Sequence, residues 1–215
     1  MNDVTAIDAD FFARARQRLK LDVPAALTDL SAEAVRGDLD LDPMMWERAG
    51  VVASRPAAVL VGVVDRPRPT VLLTRRTPDL SNHAGQIAFP GGKIDPHDET
   101  PLAAAIREAD EEIGLARDVI EPIGYLDLYL TFSGFRILPA VARVSPDYTL
   151  KLNHGEVEDA FEVPLDFLMT PENHQRRSRE WKGIQREYYA VPFGERYIWG
   201  ITAGIVRNLY DRIYR

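Results

Sequence analysis

Apolar positions along this chain recur with two periods, and the changes of period mark the elements. In DADFFARARQRLK (8–20), Phe11, Phe12, Ala15 and Leu19 fall on one face of a helix. Residues 21–54 show no sustained period and carry scattered Pro and Asp, which predicts an irregular N-terminal segment wrapped on the core. From Arg55 the pattern turns β-rich. PAAVLVGVVD (56–65) and TVLLTRR (70–76) predict two strands joined by the turn former RPRP, and AGQIAFPGG (84–92) a third that ends in a glycine turn. Thr100 as N-cap, Pro101 at the first position and Gly114 as stop bracket a helix over about 101–113. Its apolar stripe is Leu102, Ile106, Ala109 and Ile113. GYLDLYLTF (124–132) and FRILPAVARV (135–144) predict strands on either side of Ser133–Gly134. FEVPLDFLM (161–169) reads as a strand end and a helical turn, REYYAVPF (186–193) as a strand, and IWGITAGIVRNLYDRIYR (198–215) as an amphipathic helix. Helices and strands mixed in this order predict an α/β (α+β) sandwich, with helices flanking a mixed sheet.

Composition narrows the function classes. The length of 215 residues suits one domain with an appendage. Cysteine is absent, which excludes a disulfide scaffold, a thiol catalyst and a zinc–cysteine site. The chain has no apolar run long enough to span a membrane, and its first residues lack a basic segment followed by an apolar one; a cytoplasmic address without membrane partners is expected. The net charge of −7 argues against non-specific nucleic-acid binding. It is compatible with a phosphate ligand when a divalent cation supplies positive charge locally. A homodimer is left open.

Glu108, Glu111 and Glu112 are spaced i, i+3 and i+4, so the 101–113 helix gathers three carboxylates on one face. Arg107, four residues before Glu111, can offset part of their repulsion. Most such clusters are solvated helix faces. Two features pull against that meaning here: the acids crowd the C-terminal half, against the helix dipole, and Gly91–Gly92 upstream lets backbone approach a ligand closely. Carboxylates sharing a face without lysines are ligands for hard cations such as Mg2+.

The segment from Gly92 to Leu115 resembles the Nudix box, G-x5-E-x7-R-E-U-x-E-E-x-G-U with U aliphatic, at Gly92, Glu99, Arg107, Glu108, Ala109, Glu111, Glu112, Gly114 and Leu115. There are two departures: one residue too many between Gly92 and Glu99, and Ala109 as a small aliphatic position. Asp98 restores the first spacing at the expense of the second; Glu99 is preferred, because an insertion beside the helix would rotate its face. The resemblance implies a Nudix fold, an α/β/α sandwich over 51–215 (box 92–115) with residues 1–50 as an N-terminal helical extension packed on it. It further implies Mg2+ or Mn2+ held by Glu108, Glu112 and Glu111, assisted by Glu99, with Arg107 orienting the glutamates. The implied reaction is hydrolysis of a nucleoside diphosphate linked to another group, with Glu108 or Glu156 as the base. Glu156 reads equally as a surface loop residue.

LLTRRTPDLSNHAGQIAFPGG (72–92) is similar to the signature of the coenzyme A pyrophosphatase subgroup at Leu72, Leu73, Thr74, Arg76, Thr77, Gly85, Phe89, Pro90, Gly91 and Gly92; Ser81 stands where an arginine is often found. This implies a coenzyme A-like substrate, cleaved to 3′,5′-ADP and 4′-phosphopantetheine, with Arg75, Arg76, Gly91, Gly92 and His83 as substrate-binding candidates. Strand alternation turns one of Arg75 and Arg76 inward, and His83 is also read simply as a hydrogen-bonded turn residue. Arg176, Arg177, Arg179, Lys182 and Arg186, interleaved with Trp181, Tyr188 and Tyr189, form a basic-aromatic cluster. It is either a surface for the nucleotide end or a solvated loop. The competing functions are hydrolysis of another substrate (ADP-ribose, NADH, a dinucleoside polyphosphate) and nucleotide sensing without catalysis.

Overall fold

Strand β2 (Arg55–Val64) is apolar at almost every position because both of its faces are buried. In a computed structural model of the protein, which describes residues 10–32, 36–38, 40–41, 53–78, 84–181 and 184–215, it lies at the centre of a nine-stranded mixed sheet. The readings at Ser81, His83 and Lys182 lie outside the described residues, as does much of the first 52. β8 (Phe135–Val144) runs parallel to β2 along its whole length. On the far side of β8, β6 (Ile120–Tyr125) and β7 (Tyr129–Leu130) pair antiparallel with it, and β1 (Arg36–Gly37) adds to β7 in parallel. The other edge of β2 is shared. β3 (Thr70–Arg76) pairs with its end at Val63–Val64, while β5 (Gly91–Lys93) pairs with Ala57–Val59. β4 (Ile87–Ala88) and β9 (Val157–Pro164) flank β3, both antiparallel.

Alternation along β2 and β8 separates two cores. Ala58, Leu60, Leu138, Ala140 and Ala142 meet Ala104, Ala105, Ile106, Ala109 and Ile113 of helix α2 (Pro101–Ile113). α1 (Phe11–Arg18) and α4 (Ile201–Tyr214) cover the opposite face, where Phe11, Ala15, Ile205, Leu209 and Ile213 join Ala57, Val61, Val63 and Val141. This is the expected α/β/α layering. α3 (Leu165–Leu168) is one turn after β9. A second sheet follows, built antiparallel from β10 (Gln175–Trp181), β11 (Ile184–Phe193) and β12 (Arg196–Trp199). The segment before β2 is tied down by Arg136, a buried guanidinium that donates to the carbonyls of Ala26, Ala53 and Asp29.

The ends of α2 are set by local chemistry. Thr100 Oγ1 accepts the Ala103 amide at 3.0 Å, a cap contributing about 1 kcal/mol. Gly114 closes the helix in the left-handed region at φ 66°. The carbonyls of Glu112 and Ile113 accept the amides of Asn153 and Lys151, so the loop before β9 is docked on the helix end.

Several sequence readings need correction. FPGG does not form a turn: Gly91 and Gly92 belong to β5 and pair with β2, which their missing Cβ atoms permit. GYLDLYLTF is divided between the end of β6 and the short β7, and Ile198–Trp199 end β12 rather than begin the last helix. The basic-aromatic cluster is a β-hairpin, with Arg176 opposite Tyr189 and Arg177 opposite Tyr188, instead of a loop.

Candidate active site

Helix α2 packs against β2 and β5, so its polar edge runs along the two glycines. A Cβ on Gly92 would lie 2.5 Å from the Glu108 carboxylate; glycine is what lets this acid sit against the strand. One turn on, Glu112 is 3% exposed. Its Oε2 accepts the Gly91 amide at 3.4 Å, and its Oε1 is 3.7 Å from Nη1 of Arg76. Burial pushes the Glu112 carboxyl up to about 8; Arg76 opposes the rise, and Glu108 and Glu156 add to it. Burial also raises Glu108, against the pull of Arg107, with Glu111 and Glu156 reinforcing the shift.

Arg107 is the hub of the exposed side. Its Nη1 donates to Glu108 at 3.0 Å and to Glu111 at 3.1 Å. Its Nε and Nη2 donate to the two oxygens of Asp98 at 3.0 and 2.9 Å, a fork-to-fork pair, and Nη2 also reaches the Lys93 carbonyl. These bonds, Asp98 foremost, raise the arginine further above its ordinary value and lower Asp98. The Asp98 side chain is almost enclosed, and Oδ2 also accepts the Asp95 amide at 2.8 Å.

The sequence candidates therefore separate. Glu108, Glu112, Arg107, Gly91, Gly92 and Arg76 come together, and Glu111 joins from the solvent side through Arg107. Glu156 approaches from the loop before β9: its charge acts on both Glu108 and Glu112, and Asn153 Nδ2 donates to its Oε1 at 3.1 Å. Glu99 is exposed and makes no ion pair among the described residues, whereas Asp98 holds Arg107. The five-residue spacing from Gly92 that Asp98 preserves was the signal for it. Arg75 faces away, as alternation along β3 requires, and pairs with Glu158 at 2.8 Å, the residue of β9 that the register shift leaves without a partner on β3. Asn153, which steadies Glu156, had no sequence signal. Among the described residues no three His, Asp or Glu side chains converge as a metal centre. The glutamates are instead drawn apart, Glu108 and Glu111 onto Arg107 and Glu112 towards Arg76.

The family model for the NUDIX domain matches residues 53–182, more than half of the chain and inclusive of every residue of this cluster. The chain belongs to the Nudix family. It is a Nudix hydrolase, of a family of pyrophosphohydrolases, with the mixed α/β Nudix fold. It is 38% identical over 160 residues to "Uncharacterized Nudix hydrolase NudL" of Yersinia pestis (strain Pestoides F), covering 74% of this chain and 80% of that one. The same figures hold for NudL of Yersinia pseudotuberculosis serotype O:3 (strain YPIII). Among solved structures, DR0079 from Deinococcus radiodurans aligns over 76% of this chain and 87% of its own, with 19% identity and a TM-score of 0.47. The Nudix hydrolase RenU of M. smegmatis aligns over 51% and 70%, with 25% identity and a TM-score of 0.41. No helix among the described residues is long and apolar enough to cross a membrane.

Proposed function

We propose that this Nudix hydrolase cleaves the diphosphate of coenzyme A or a derivative, in a divalent-metal-dependent reaction that yields 3′,5′-ADP and 4′-phosphopantetheine. The observation that carries the hydrolytic part is the placing of two glutamates raised by burial and by neighbouring carboxylates, Glu108 and Glu112, against the side-chain-free strand Gly91–Gly92. Such a pair fits a hard cation, which relieves both the desolvation and the repulsion. Glu108, Glu112 and Glu111 would hold Mg2+ or Mn2+, which when bound neutralises diphosphate charge and lowers the pKa of water at the site. Arg107, anchored by Asp98, keeps Glu108 and Glu111 oriented. The glycines let Glu108 and Glu112 lie against the strand, and Arg76 offers a guanidinium to diphosphate oxygens beside Glu112. Water oxygen attacks one phosphorus, the bridging P–O bond breaks, and the water proton passes to a carboxylate, for which Glu156 and Glu108 are the candidates. The coenzyme A assignment rests on the likeness of Leu72–Gly92 to that subgroup's signature.

Steady-state rates on coenzyme A, ADP-ribose, NADH and diadenosine polyphosphates, each with Mg2+ and with Mn2+, test the reading. Coenzyme A is expected to give the highest kcat/KM, with the two products in equal amounts. A tenfold preference for another substrate overturns the substrate assignment, and no turnover of any favours a nucleotide sensor.

A further inference from the structure

The loop between β8 and β9 is fastened to the end of helix α2, and the fastening brings a side chain to the glutamates. Gly114 makes room for it: a Cβ there would lie 2.9 Å from that of Lys151. The Lys151 amide donates to the Ile113 carbonyl at 2.8 Å, and the Asn153 amide to the Glu112 carbonyl at 2.9 Å. Carbonyls in the last turn of a helix have no partner within it, so the loop supplies one. Asn153 is thereby tied to the backbone of Glu112, the most buried of the three helix glutamates.

From there Asn153 turns the chain back. Its carbonyl accepts the amides of Glu156 and Val157, both at 2.9 Å, and its side-chain oxygen accepts the Gly155 amide at 3.2 Å, an Asx turn. The far end of the turn is fixed to β3, where the Thr77 amide, next to Arg76, donates to the Glu156 carbonyl at 3.0 Å. Glu156 is held from two sides, by the helix that carries Glu112 and the strand that carries Arg76. Its charge raises both Glu108 and Glu112.

The two candidates for the base differ in what holds them. Glu108 takes a guanidinium, Nη1 of Arg107 at 3.0 Å, and is a proposed metal ligand; a cation beside a carboxylate weakens its hold on a proton. Glu156 takes a neutral donor, Asn153 Nδ2, on Oε1 at 3.1 Å, and makes no ion pair among the described residues. An amide fixes the direction of a carboxylate without neutralising it, as the orienter of a base must. We infer that Asn153 is a positioning residue of the reaction, whose carboxamide holds Glu156 so that Oε2 takes the proton of the attacking water. As the water oxygen bonds to phosphorus, the bridging oxygen leaves with the electrons of the broken P–O bond. The inference rests on the proposed hydrolysis at Glu108 and Glu112, and it chooses Glu156 over Glu108 as the base.

A double-mutant cycle of Asn153→Ser and Glu156→Gln tests it, with kcat and KM measured at saturating Mg2+ on the diphosphate that the substrate panel selects. Serine keeps an oxygen for the Gly155 amide, adds no charge and removes the donor to Glu156. Glu156→Gln is expected to lower kcat at least about a hundredfold. Asn153→Ser should lower kcat about tenfold with KM within about threefold, and should cost less than about twofold once Glu156 is glutamine. An asparagine that only shapes the turn costs the same factor in both backgrounds, and that outcome overturns the inference. So does a Glu156→Gln enzyme within about fivefold of wild type, or Asn153→Ser at wild-type kcat. Melting curves with and without Mg2+ check that each variant folds and binds the metal; if serine unfolds the turn, Asn153→Asp, which keeps the oxygen acceptor, completes the cycle. A wild-type protein that hydrolyses another diphosphate but not coenzyme A overturns the substrate assignment alone, and one that hydrolyses none overturns both.

Discussion

Gly92→Ala isolates the role of the glycine strand, because its steric effect falls on one side chain end. The added methyl would lie 2.5 Å from Cδ and Oε1 of Glu108, and ordinary contact begins near 3.4 Å. The carboxylate must therefore retreat by about 1 Å, since β5 is held by its pairing to β2. Glu108 can move by changing rotamer at a cost of about 0.5–1.5 kcal/mol. In a domain of this size that lowers Tm by only about 2–5 °C. The catalytic effect is larger, because about 1 Å of misplacement at a reacting centre costs on the order of a hundredfold. Moving Glu108 also breaks its 3.0 Å bond to Arg107. The assay is kcat on coenzyme A, or on whichever diphosphate the panel selects, at saturating Mg2+, alongside a melting curve. The expected result is a folded enzyme with kcat reduced by about tenfold to a hundredfold. A folded variant with kcat within about twofold of wild type would refute the claim that the Gly92–Glu108 contact sets the site.

Two further perturbations test the rest of the cluster. Glu112 is held near 8 by burial, so in EDTA the folded state keeps a proton that the unfolded chain releases above its ordinary 4.5. Wild-type stability should fall as pH rises from 4.5 through 8 and level off above that. At about 1.4 kcal/mol per pKa unit the ceiling is about 5 kcal/mol, reduced because Arg76 loses its partner in the variant. Glu112→Gln is therefore expected to match wild type near pH 4, to be more stable by about 1–3 kcal/mol at pH 9, and to be inactive; melting curves in EDTA showing a pH-independent difference would count against the buried-carboxylate account. Asp98→Ala should lower stability by about 1–3 kcal/mol and kcat at least about tenfold by freeing Arg107, whereas Glu99→Ala should leave both near wild type. The opposite ranking would return the box acid to Glu99.

Local chemistry made much of the scaffold legible. Thr100, Pro101 and Gly114 defined the ends of α2 without help from the rest of the chain, because capping and left-handed closure are satisfied within a few residues. The apolar run of β2 announced a strand, though not that both its faces are covered, and the spacing of Glu108, Glu111 and Glu112 put them on one helix edge. Pairing partners were another matter. Gly91 and Gly92 read as a turn because glycine marks both turns and close approach, and only β2, more than thirty residues earlier, makes them a strand.

The choice between Asp98 and Glu99 shows the same division. Both are carboxylates one residue apart, and spacing arguments pointed two ways. The fold decided for Asp98, since its side chain turns inward onto the Arg107 fork while Glu99 faces solvent. Arg75 and Arg76 were likewise equivalent in sequence; their opposite faces on β3 send one to Glu158 and the other to Glu112. Sequence by itself determined the acidic helix, the glycines and the family, because those depend on short-range spacing. Tertiary structure alone decided which neighbouring charge enters the site and which loop brings Glu156 to it. Those depend on which distant backbone a side chain faces, and a strand reverses that with every residue.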